Sequence, residues 1–134
     1  MNIGMLKSPI SDEGTMTDLP DFPGVRVSVR TTDHPDYQGY IARAIEREQA
    51  GSRNGKVEPK VRDEIVAKAT AKHLLMDWEG VTSESGEVLP FDRKLVTGWA
   101  EDLKNYGRFF DRVLSASVKV TNRIAQERED LGND

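Results

Sequence analysis

Apolar and polar residues alternate strictly from Val25 to Thr31: Val25, Val27 and Val29 fall on one face, Arg26, Ser28 and Arg30 on the other. A period of two marks a half-buried strand, and a strand is predicted here. The period then lengthens. Tyr37, Tyr40, Ile41, Ala44 and Ile45 recur at helical steps, which predicts a helix to about Gln49. Asp33 is placed to cap it, Pro35 suits its first turn, and Asp36 opposes the helix dipole. Gly51 is the expected stop, and residues 51–56 read as a polar linker of turn-forming residues.

A second helix is predicted from about Pro59 to Met76, with Val61, Ile65, Val66, Ala69 and either His73 or Leu74-Leu75 on its buried side. Trp78-Glu79-Gly80 is expected to end it. Residues 81–89, centred on Ser85-Gly86, suit a small hairpin or an irregular loop. Asp92 is the expected cap of a third helix carrying Leu95, Val96, Trp99 and Leu103, and Gly107 marks a break. A fourth helix, about Arg108 to Glu129, presents Phe109, Phe110, Val113, Leu114, Ser117, Val120, Thr121 and Ile124 at three- and four-residue steps. Past Ala125 it turns polar and should fray.

Residues 1–24 are rich in Gly, Pro, Ser, Thr and Asp and show no sustained period, so they read as a flexible or loosely docked arm. The expected organisation is therefore an arm over 1–24, one helical domain over 25–126 and a polar tail over 127–134. The fold class is mainly α: about four helices, a short N-terminal strand and a small β-hairpin as the minor β component.

Composition narrows the function. At 134 residues the chain suffices for one compact domain. Its hydrophobic fraction of 37% is low and its charged fraction of 31% is high for a globular domain, which suggests a modest core and long solvated helix faces. The formal net charge is −4, and basic residues alternate with acidic ones, so no nucleic-acid surface is expected. The absence of Cys removes disulfides, zinc thiolates and thiol nucleophiles together. No apolar run approaches the roughly 20 residues of a membrane span, and the N-terminus lacks a signal-peptide pattern. A soluble, intracellular protein is expected, with no membrane partner.

Candidate chemistry is sparse. His73 and Asp77 lie one turn apart on the predicted helix, with Glu79 close behind, the spacing of an acid–base or metal pair. The simpler reading has His73 at the edge of the core stripe and Asp77 bonding backbone groups at the helix end. His34 lies in a turn without an obvious partner. Ser115 and Ser117 have no base nearby in sequence, and no zinc signature, phosphate loop or nucleophile elbow occurs. Gly80 and Gly86 suit a helix stop and a turn. A non-enzymatic protein without cofactor or metal is expected.

The aromatic residues point to binding. Trp78, Trp99, Phe109 and Phe110 could all be core. Adjacent phenylalanines leave a helix in different directions, however, so one of the pair, or Trp99, is a candidate partner anchor. Arg26 and Arg30 line the outer face of the predicted strand, which as an edge strand could pair with a neighbouring subunit.

The run Ala71-Lys72-His73-Leu74-Leu75-Met76-Asp77-Trp78-Glu79-Gly80-Val81, followed by Gly86 and then Pro90-Phe91, resembles the central signature of the tail assembly chaperones of long-tailed, non-contractile bacteriophages. The short basic strand leading into Pro35 and Tyr37, and Phe110 with Val113 downstream, fit the same order, so the likeness spans about Val25 to Asn122. Two departures stand out: Asn122-Arg123 lacks the aromatic of the family's usual Asn-Phe-Arg, and residues 1–24 have no counterpart. The resemblance implies a chaperone that binds the tape measure protein, keeps it soluble and helps recruit tail tube subunits. It also implies self-association, residence in the host bacterial cytoplasm and absence from the mature virion. The alternative is a structural tail or neck component retained in the particle.

Overall fold

The computed structural model describes residues 11–132. Its elements are β1 (Thr15–Asp18), β2 (Arg26–Val29), α1 (Pro35–Ala50), α2 (Pro59–Ala69), a π-helical turn (Thr70–Leu74), β3 (Leu75–Glu79), α3 (Arg93–Trp99) and α4 (Leu103–Gly132). The three strands form one antiparallel sheet in the order β1-β2-β3. The chain is therefore mainly α with a small β component, as the periodicity predicts.

β2 is the strand that the alternation marks. Val27 and Val29 are fully buried, while Arg26 faces out between Asp18 and Glu79. It is the central strand, however, and not an edge: β1 covers one side and β3 the other. Its backbone is already paired, which removes the expectation that Arg26 and Arg30 flank a free edge. Arg30 is not an outward residue either. Its guanidinium donates to the carbonyls of Asp12 and His73 and lies 3.4 Å from the Asp36 carboxylate.

The arm expected over residues 1–24 is corrected in its described part. Thr15–Asp18 pairs residue for residue with β2. The hairpin loop that follows is closed by Leu19 N–H donating to the Val25 carbonyl, with Asp21 and Gly24 at positive φ. Leu19 is buried and Phe22 packs on the core. A Thr-Met-Thr-Asp strand has no apolar face of its own, so only its pairing with β2 defines it. Residues 1–10 lie outside the description.

The second helix ends earlier than its pattern suggests. Thr70 turns its hydroxyl back onto the Val66 carbonyl at 2.8 Å, a bond that loosens a helix locally. The backbone widens into one π turn, with Leu75 N–H donating to the Thr70 carbonyl, and then runs straight into β3. Leu74 and Leu75 are both fully buried because the chain changes period between them. In the β2–β3 ladder Asp77 faces Ser28 and Leu75 faces Val29, leaving Met76 as the extra residue of a bulge. His73 and Asp77 therefore do not share a helix face.

α4 is the spine. Phe109, Phe110, Val113, Ala116, Ser117 and Val120 are its buried residues. Both phenylalanines point inwards, so of the three candidate anchors, Phe109, Phe110 and Trp99, only Trp99 keeps open surface. The helix is covered over a wide arc: Phe109 meets the sheet and hairpin loop, and Phe110 borders a gap shared with Val66 and Ala67 of α2 and Thr70 of the π turn. The helix continues to Gly132, with its side chains exposed from Ala125 onwards.

Candidate functional site

The aromatic residues form one connected layer with a closed end and an open end. Trp78, on β3, is buried, and its indole N–H donates to the Leu89 carbonyl at 2.8 Å. Phe91 meets its ring edge-on at 5.1 Å, and Trp99 stacks on it at 5.4 Å with 14° between planes. Tyr106 stacks on Trp99 at 4.8 Å and 6°. Phe109 stands edge-on to both indoles, at 6.3 and 5.7 Å. Trp99 and Tyr106 are only half-buried.

That open end borders a groove of about 560 Å³. Phe22, Val25, Val81, Trp99, Tyr106 and Phe109 supply its apolar walls, and Asn105 and Arg108 its polar rim. The rim is held in place: Arg108 lies over the Phe22 ring at 5.7 Å, and Asp21 bridges Arg108 at 3.8 Å and Arg112 at 2.5 Å. Apolar walls under a charged rim suit a helix or extended segment with an apolar stripe.

Of the residues singled out in the sequence, the fold brings Trp78, Trp99, Phe109 and Phe110 together. Trp99 presents surface to the groove; Trp78 and Phe110 are enclosed, and Phe109 is 8% exposed. Arg26 and Arg30 lie elsewhere, on the sheet and at the start of α1. Phe22 and Tyr106 escaped the sequence reading. Tyr106 had a signal, being seven residues from Trp99 and three from Phe109. Phe22, between two loop residues, had none.

The run that carries the chaperone resemblance is largely a folding device. Asp77 accepts a bond from the Trp78 N–H at 2.8 Å. Gly80 adopts φ +80°, and a Cβ there would meet the Gly24 carbonyl. Gly86, at φ +84°, makes the turn of the small hairpin in which Thr82 faces Val88. Arg93 closes the unit: its guanidinium donates to the carbonyls of Ala71 and Leu75 and sits over the Phe91 ring at 4.9 Å. Burial, with nearby Arg30, lowers the pKa of Arg93.

The titratable cluster does not assemble. His73 stacks obliquely on Tyr40 at 5.5 Å, while Asp77 lies on the exposed side of β3 and Glu79 faces Arg26. Burial, ahead of the positive charges of Arg30, Lys72 and Arg93, pulls the His73 pKa below its usual value against the pull of Asp36. His34 is buried rather than unpartnered. Its Nδ1 accepts from Asp36 N–H and caps α1, the role expected of Asp33, and its Nε2 meets Asp12 at 2.8 Å. Among the described residues no group of three or more His, Cys, Asp or Glu could hold a metal ion, and no helix is long and apolar enough to cross a membrane.

No curated protein and no solved structure matches the chain. A family model described as YdaY prophage protein matches residues 32–133, well over half the chain, and the protein belongs to that prophage family.

Proposed function

We propose that this protein is a phage tail assembly chaperone that binds the tape measure protein, keeps it soluble and helps recruit tail tube subunits. The observation that carries the reading is the open end of the aromatic layer, where half-buried Trp99 and Tyr106 wall a groove rimmed by Arg108. Membership of a prophage family and the resemblance of Ala71 to Phe91 to the chaperone signature support it.

The chemistry suits a transient client. Tape measure helices carry apolar stripes that lack partners before assembly. A few aromatic anchors that become desolvated on contact supply most of the affinity, and a short contact can be displaced when tube subunits compete. The charged remainder limits nonspecific adhesion. On this reading the protein acts in the host cytoplasm and is absent from the finished particle.

Co-expression with the tape measure protein of the same prophage tests the proposal. The client should stay soluble with the wild-type chain and precipitate with a Trp99→Ala, Tyr106→Ala double variant whose circular dichroism matches wild type. A client equally soluble with both, or recovery of this chain at stoichiometric amounts from purified virions, would count against the chaperone and for a structural tail or neck component.

A further inference from the structure

A second groove, of about 520 Å³, lies between α2 and α4. Half-buried Val66, Leu103 and Leu114 supply its apolar walls, and Phe110 borders it. It shares no lining residue with the groove beside Trp99: of the adjacent phenylalanines, Phe109 lines that one and Phe110 this one. Past Leu114 the depression continues along α4 to Val118, which is 42% exposed. From Leu103 to Val118 this face is about 22 Å long at about 1.5 Å of rise per residue, room for about four turns of a second helix.

Two observations say what this groove takes. The first is charge. The charged residues of its lining are Asp63 on α2 and Asp111 on α4, one from each helix, and neither is in an ion pair among the described residues. Arg112, which borders the continuation towards Val118, is already held by Asp21. The second is Gly107, in the groove wall. It does not adopt a positive φ, and a Cβ there would meet the Leu103 side chain at 3.7 Å, an ordinary contact. Glycine inside a helix is less favourable than alanine, and no described residue requires one here. The missing side chain leaves the α4 backbone bare where another chain can approach closely.

We propose that the groove between α2 and α4 docks a basic amphipathic helix of a partner protein. The apolar stripe of that helix lies on Val66, Leu103 and Leu114, its backbone passes over Gly107, and a Lys or Arg on each flank meets Asp63 and Asp111. Exposed charge pairs add little affinity, so the stripe supplies the binding and the two carboxylates choose the partner. The proposal does not rest on the client reading, whose groove is built from other residues.

NMR titration of the isotope-labelled full chain with a designed helical peptide of about 18 residues tests the proposal. Leucine and alanine form the stripe of the peptide and lysine both its flanks; a twin peptide carries glutamate for every lysine. The lysine peptide should move the Val66, Gly107 and Leu114 amide signals and saturate below about 500 µM, and the twin should not. Asp63→Lys with Asp111→Lys should weaken binding at least about tenfold, because both flanks then repel. Glu84→Lys with Glu87→Lys, the same change of net charge on the exposed hairpin, should leave it unchanged. Gly107→Leu should keep or raise the unfolding midpoint, leucine being the better helix former, and should abolish the shifts by filling the groove. The proposal is overturned by the absence of a saturable shift at these residues or by equal affinity for the twin. Equal weakening in the hairpin variant, or wild-type binding by Gly107→Leu, also overturns it.

Discussion

Trp78 and Trp99 stack with ring centroids 5.4 Å apart and planes 14° from parallel, although one belongs to the sheet and the other to the end of a seven-residue helix. The pair joins the closed interior of the aromatic layer to its open end, and the two residues should answer substitution differently.

Trp78→Ala removes a buried ring and the indole N–H that satisfies the Leu89 carbonyl, and should lower stability by about 3–5 kcal/mol. Trp99→Ala removes a half-buried ring and should lower it by only about 1–2 kcal/mol while weakening client capture. Urea unfolding followed by circular dichroism, beside a client pull-down, separates the two. Phe109→Ala should resemble Trp78→Ala, since Phe109 is core.

Gly80 and Gly86 both adopt positive φ, at +80° and +84°, but their surroundings differ. A Cβ at Gly80 would collide with the Gly24 carbonyl, whereas nothing lies within 4 Å of one at Gly86. Gly86→Ala should therefore lower stability by about 1 kcal/mol, the conformational term alone. Gly80→Ala should lower it by well over about 2 kcal/mol, because β3 must also move off the hairpin loop. Thermal melts of the two variants test the contrast.

Arg93→Met leaves the carbonyls of Ala71 and Leu75 without their charged donor where the π turn meets β3. A loss of about 2–3 kcal/mol is expected, as for removal of a charge-assisted bond from acceptors on buried residues. Arg93→Lys should recover part of it, because an ammonium cannot reproduce the fork of the guanidinium. Denaturant midpoints for the three proteins decide this.

His73 should titrate below its ordinary value of 6.5, chiefly because burial disfavours the charged ring. The unfolded chain takes up this proton more readily than the folded one. The stability contributed by the neutral ring is thus complete above about pH 6.5 and is lost as the pH falls through the folded pKa. Titration of the His73 imidazole proton by NMR, assigned with His73→Gln, should give a midpoint under 6.5, and the variant should lose less stability on acidification.

The residues that show how far sequence reasoning carries are Val27, Leu75 and Tyr106. Val27 sits in a strict alternation and its burial was legible from the chain alone. Leu75 lies in an apolar run that suits a helix or a strand equally, and the Thr70 hydroxyl and the pairing with β2 decide between them. Tyr106 looks like a helix-start aromatic beside a glycine; only the arrival of Trp99 from α3 makes it the wall of a groove.

By itself the sequence determined the helical class, the buried stripe of α4, the strand at β2, the turn at Gly86 and the aromatic residues worth attention, because each follows from local period or from backbone preference. Tertiary structure decided what depends on contacts distant in the chain: that β1 exists, that β2 is flanked on both sides, that the second helix gives way to a strand, and which aromatic faces stay open. A strand without an apolar face is defined only by its neighbour, and a side chain's exposure is set by whatever folds over it.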